Sequence, residues 1–194
     1  MKEIRNAILF LGVFTILFGL LYPLTITIVS QVVFPEEANG SLLMMNEKVV
    51  GSRLIGQRFT SPQYFHGRPS AIDYVGSVSG GTNFGPTNER FLKGVRETIE
   101  QIRRENELSS KVKIPSDMVL ASASGLDPYI SVEAALLQVP RIARVRGLDE
   151  SILRGLIEKH QKKILFENAY IVNVLELNMA LDGMGANVNG IQEA

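Results

Sequence analysis

The spacing of apolar and polar positions divides the chain into two unlike parts. No residue from Asn6 to Pro35 is charged, and Ala7 to Val33 is almost continuously apolar. As a helix, those 27 residues would extend about 40 Å at 1.5 Å per residue, whereas a bilayer core needs only about 20 residues. A cleaved leader has a shorter apolar stretch and a small-residue cleavage site; this run ends in "SQVVFPEE". The pattern predicts a retained transmembrane helix over residues 7–34. Beyond it, apolar residues come in short runs and helical stripes. Two runs flank Asn46-Glu47-Lys48 and predict a hairpin. "SPQYFHGRPS" and "VGSVSGGTNFGPTN" form one long irregular excursion, given order by Tyr64, Phe65 and Tyr74.

Three helices follow from periodicity. Phe91, Leu92, Val95, Ile99 and Ile102 form one stripe, with Glu89–Lys93 and Glu100–Arg104 as expected pairs on the wet face. Ile152, Leu153, Leu156, Ile157 and His160 form another, opened by Asp149 after the break at Gly147. Asn173 and Glu176 fit a capping pattern before "VLELNMALDG", and Gly183 is expected to close that helix. Between them, Ser131 is placed to cap a helix starting at Val132, and Pro140 is expected to interrupt it. Strand-like and helical segments without a repeat predict one α+β domain over residues 35–194 behind a single N-terminal transmembrane helix.

Charge adds an orientation. Lys2 and Arg5 precede the span, Glu36 and Glu37 follow it, and positive flanks stay in the cytoplasm. Residues 1–6 are therefore expected in the cytoplasm and residues 35–194 outside. Within the span, Gly12, Thr15, Gly19, Pro23, Thr27 and Ser30 recur at threes and fours. They share a helical face on which another membrane helix could approach closely. Pro23 should kink the helix. Over the whole chain, 20 Lys+Arg balance 20 Asp+Glu, which gives no field to attract nucleic acid.

Chemistry narrows by elimination. Without cysteine and with two histidines, thiolate chemistry is excluded and a His-rich metal site is disfavoured. Gly51 and Gly56 have phosphate-loop spacing, but Gln57 and Arg58 stand where lysine and a hydroxyl residue are required. "SGGTNFGP" suits glycine turns. "ASASGLDPYIS" lacks the glycine two before a serine that a nucleophile elbow needs, so it reads as a turn at Asp127-Pro128 feeding the Ser131 cap. His160 reads as a packed histidine. Arg141, Arg144 and Arg146 read as a solvated basic surface.

"GSRLIGQRF", "YFHGRPSAIDY", "SGGTNFGPTN", "ASASGLDPYIS", "EAALLQVPRIARVRG" and "NVLELNMALDG", in this order behind an anchor with "LYPL", resemble the KdpC family. That family is the small subunit of the bacterial high-affinity potassium-importing P-type ATPase. Val132 departs from the proline usual there, and "FENAYIVNVLEL" replaces a lead with glycine and proline. The resemblance implies a non-catalytic subunit of the inner membrane. Its implied partners are a channel-like potassium-binding subunit, a P-type ATP-hydrolysing subunit, a small single-span subunit and membrane lipid. It also implies a catalytic chaperone that raises the pump's affinity for ATP, with ATP and potassium handled by the complex and neither bound stably here. Motif positions expected at the interface are Gln57, Arg68, Ser79, Gly80, Gly81, Asn83, Gly125, Asp127, Arg141 and Arg144. A membrane-anchored hydrolase and an extracytoplasmic ligand-binding or sensor domain remain open as alternatives.

Overall fold

A computed structural model describes residues 1–45, 47–165 and 167–189. The chain divides into two compact units, Met1–Leu42 and Leu43–Ala194. In the first, α1 (Lys2–Ile16), a π-helical turn (Leu17–Leu21) and α2 (Tyr22–Val33) run without a break, followed by the short α3 (Pro35–Ala38). Lys2–Val33 is the one helix among the described residues long and apolar enough to cross a membrane, and none of its most apolar window is buried. Just before Pro23, where a kink is expected, the helix widens: the Tyr22 N–H reaches back to the Leu17 carbonyl. The physical reason is local, since proline cannot donate and its ring crowds the preceding turn, which a wider turn relieves.

The second unit is α+β, as its alternating pattern predicts. β1 (Leu42–Met45) pairs with β2 (Lys48–Ser52); the expected turn residue Asn46 lies outside the described residues. An irregular excursion leads to α4 (Glu89–Glu105) and the single turn α5 (Ser116–Val119). Then come β3 (Tyr129–Ser131), α6 (Val132–Arg146), α7 (Glu150–His160), β4 (Lys162–Lys163), β5 (Tyr170–Asn173) and α8 (Val174–Asn189). The sheet order is β3-β5-β4, antiparallel throughout, with Ile130 opposite Val172 and Lys162 opposite Ile171. The core lies where α6, α7 and α8 meet this sheet, around Ala134, Val139, Ile142, Leu153, Ile157, Val172, Leu177 and Leu181.

The caps follow the sequence reading closely. The Ser131 hydroxyl accepts from the Ala134 N–H at 3.0 Å, Asp149 from Ser151 at 2.7 Å and Asn173 from Glu176 at 3.1 Å. His160 ends α7 with Nδ1 2.9 Å from the Leu156 carbonyl. Gly147 ends α6 at φ 66°, and Leu148 donates to the Ala143 carbonyl, closing the helix with the six-to-one bond of a Schellman motif.

Three expectations are corrected. Pro140 lies inside α6 without ending it; buried Val139, Ile142 and Ala143 on either side hold the helix against the loss of one hydrogen bond. Gly183 does not close α8, which continues to Asn189, because Gly183 keeps a negative φ. On α4 the pair that forms is Lys93–Glu97 at 3.8 Å, not Glu89–Lys93 or Glu100–Arg104.

Candidate functional site

Motif segments far apart in sequence converge on the loop 121–128. The Gly56 N–H donates to the Leu126 carbonyl at 2.7 Å. The Gly80 N–H (2.9 Å) and the Ser79 hydroxyl (3.2 Å) both donate to the Ser124 carbonyl, and the Ser70 hydroxyl donates to the Gly125 carbonyl at 2.7 Å. Gly125 has φ 71°, and a Cβ there would sit 2.5 Å from Ile72 Cγ1 and 2.9 Å from the Gly80 carbonyl oxygen. Both the left-handed backbone and the crowding restrict that position to glycine. A Cβ on Gly81 would meet the Ala123 carbonyl oxygen at 3.2 Å. Gln57 lies beside the junction and donates to the Val50 carbonyl at 3.0 Å. Asn83 stays exposed on the excursion with φ 54°.

Asp127 fills two roles at once. One carboxylate oxygen accepts from the Tyr129 N–H and the other from Arg68 Nη1, each at 3.0 Å. Two residues on, the Ser131 N–H donates to Asp117 at 2.6 Å. The outward N–H groups of β3 are thus held by two carboxylates, which blocks strand addition at that edge. Asp117 carried no sequence signal, because its partner lies in another element.

The three arginines after Pro140 do not form one basic surface. Arg141 is only 3% exposed and donates to Asn106 (3.0 Å), Gln138 (2.8 Å), the Tyr64 carbonyl (3.1 Å) and the Pro62 carbonyl. Arg146 donates to Asp182 at 2.7 Å and to the Gln63 carbonyl at 2.8 Å, and its guanidinium lies 4.9 Å over the Tyr64 ring. Only Arg144 is exposed, paired with Glu107 at 2.7 Å. Gln138 holds both backbone groups of His66, and Asn178 both of Phe65. Phe65 is fully buried. The segment "PQYFH" is therefore clamped between α6 and α8 by side chains replacing a strand partner. Helical spacing could have placed Gln138 and Arg141 on one turn; their burial was not legible.

Electrostatics follow from this burial. Burial pulls the Arg141 guanidinium below its usual value, with Glu105 opposing; a guanidinium starts so high that it stays charged. Burial and the neighbouring Arg141 also lower His66, against the Ser61 carbonyl and Glu105. His66 Nε2 lies 3.0 Å from the Ser61 carbonyl and Nδ1 3.7 Å from Glu105. At that distance Glu105 does not outweigh burial and Arg141, so the ring is neutral at pH 7 and donates from Nε2. Burial, assisted by Asp182, raises the Tyr64 hydroxyl. A cleft of about 400 Å³ opens beside these groups, lined among others by Arg58, His66, Arg68, Tyr74, Thr98 and Glu105. Among the described residues no three His, Asp or Glu converge as metal ligands.

On the membrane-length helix, Gly12 and Gly19 leave open flanks: a Cβ at Gly12 would meet nothing within 4 Å, and one at Gly19 only Thr15 Cγ2 at 3.9 Å. The Thr27 hydroxyl donates to the Pro23 carbonyl at 2.8 Å, and Thr25 does the same to Leu21. Both hydroxyls are thus satisfied within the helix; Thr25 was not anticipated. Pro23 follows the π turn, and Ser30 is half-buried.

A family model described as "K+-transporting ATPase, c chain" (KdpC) matches residues 4–183. The chain is 46% identical over 198 residues to the potassium-transporting ATPase KdpC subunit of Rhodopseudomonas palustris (strain BisB18), covering 94% of this chain and 98% of that one. It is 48% identical over 188 residues to the subunit of the same description from Geobacter sulfurreducens, with 94% and 98% covered. For that of Caldanaerobacter subterraneus the identity is 42% over 187 residues, with 93% and 94% covered.

Proposed function

Because the chain belongs to the KdpC family of K+-transporting ATPase c chains, we propose that its own work in that ATPase is accessory and not chemical. It stabilises the assembly, and as a catalytic chaperone it raises the apparent ATP affinity of the ATP-hydrolysing subunit. The observation carrying this reading is that the motif residues bond one another. Arg68, Ser70, Ser79, Gly80 and Asp127 are engaged in closing the junction at Gly125, which suits a rigid docking domain. The channel-like potassium-binding subunit, the ATP-hydrolysing subunit and the small single-span subunit are its partners, met through the anchor face from Gly12 to Ser30 and through the domain's surface.

The domain lies outside the cytoplasm of a bacterial inner membrane, on the strength of Lys2 and Arg5 against Glu36 and Glu37. A domain on that side does not touch cytoplasmic ATP. Its effect on nucleotide affinity passes through the partners as a coupling free energy, typically about 1–3 kcal/mol. ATP and potassium are therefore handled by the complex, with neither bound stably by this chain. The test compares ATPase activity against ATP concentration in membranes with and without the chain. Loss of the chain should raise the apparent KM for ATP about fivefold or more, by that coupling; an unchanged KM in an intact remaining complex refutes the chaperone role.

A further inference from the structure

Helix α4 carries an apolar stripe whose two halves have different surroundings. Its C-terminal half is anchored: Ile102 is buried and Asn106, just beyond the helix, is held by Arg141. Its N-terminal half is only partly covered, with Phe91 and Val95 half-buried. Leu92 is 40% exposed and Phe84 47% exposed, with the Phe84 ring 6.4 Å from that of Phe91. Arg96 follows Leu92 by four residues and Arg103 follows Ile99 by four, so two guanidinium groups border one side of the stripe, with Glu89 at its N-terminal end. The opposite border is Gly94, Thr98 and Gln101, uncharged beside Leu92 and ending at Glu105, which accepts from Gln101 at 2.7 Å. Arg103 is occupied by the Ser109 and Val112 carbonyls, whereas Arg96 makes no ion pair among the described residues.

We infer that this half of α4 docks a different protein, through a surface that is apolar at its centre and carries an acidic side chain opposite Arg96. The inference rests on the accessory reading above and assigns it a contact surface. Charge selects the occupant. In a two-fold pair of α4 helices centred near Val95, Arg96 of each copy would face its counterpart, and like charges in contact oppose association. A lipid surface calls for a strongly basic polar face, but α4 has five basic and four acidic residues. A partner with a discrete carboxylate meets both the stripe and its border. Apolar anchors at the centre of such a contact carry most of its affinity.

The test uses the whole assembly in its membrane. A photo-reactive amino acid in place of Leu92 should cross-link to another subunit, at a site with an acidic residue nearby. Leu92→Asp and Arg96→Glu should each reduce recovery of the other subunits after detergent extraction about tenfold, the effect of one central contact. Replacing the acid at the cross-linked site by lysine should restore recovery with Arg96→Glu. Ile152→Asp, at an apolar position 45% exposed on α7, should leave recovery unchanged. Cross-linking only to lipid or to a second copy overturns the inference, and so does equal recovery with every variant. Should Leu92→Asp fail to fold, the cross-link in the otherwise unchanged chain still decides. If the unaltered chain recovers no other subunit, the accessory reading itself has failed.

Discussion

At the residue scale, neighbouring arginines three positions apart have unlike roles. Arg141→Leu removes donors from two buried side-chain acceptors and two carbonyls. Each orphaned group costs about 1–3 kcal/mol, so the variant should lose at least about 3 kcal/mol in denaturant titration of the full chain in detergent. Arg144→Ala removes an exposed pair and should change stability by less than about 1 kcal/mol. His66 gives a pH signature. Its folded pKa lies below the ordinary 6.5, so the unfolded chain binds the extra proton first. Stability from this group is fully present above pH 6.5 and falls as pH drops toward the folded value. His66→Gln should flatten the loss of melting temperature between about pH 7 and 5 relative to the unaltered chain; identical slopes would show that His66 does not titrate there. Ser131→Ala should cost about 1–2 kcal/mol, the loss of a cap, because the hydroxyl also meets Asp117 at 3.2 Å.

At the scale of elements, α6 is the informative case. A proline in its interior removes one hydrogen bond and disfavours the helix by about 3 kcal/mol relative to alanine, yet the helix runs from Val132 to Arg146. Pro140 is exposed, so Pro140→Ala should leave the packing intact and stabilise the chain by about 1–3 kcal/mol. A higher denaturation midpoint is the expected result; a lower one would mean that proline's restriction of the unfolded chain dominates. Gly125 sets the junction in a comparable way. Gly125→Val should destabilise strongly, since a β-branched side chain meets both a left-handed φ and Ile72. Ser124→Ala removes only a local bond to the Leu126 N–H and should leave ATPase activity largely intact.

At the scale of the whole molecule, the accessory reading depends on sidedness and on a helix face. A cysteine introduced at Glu37, in a chain with none of its own, should react with a membrane-impermeant maleimide in cells whose inner membrane is intact. Reaction only after lysis would reverse the orientation and put the domain within reach of ATP. Gly12→Leu with Gly19→Leu should insert normally, because leucine favours the bilayer and those flanks are open. The same pair should weaken association with partner helices by blocking close approach; full recovery of the complex would assign the stripe to composition alone.

Local physics made much of this legible in the sequence. A run of apolar residues long enough to span a membrane, helical stripes, and caps at Ser131, Asp149 and Asn173 depend on near neighbours along the chain, so order alone determined them. The motifs in their order determined the family. Burial and long-range partners were decided only by the tertiary structure. Arg141 reads as surface because charge favours water, but four acceptors from α6 and two loops compensate its desolvation. Pro140 and Gly183 read as helix ends because propensity is local, whereas packing and a negative φ carry α6 and α8 through them. Likewise, no spacing along the chain could bring Gly56, Gly80 and Gly125 together, since close backbone approach arises only when separate segments meet in space.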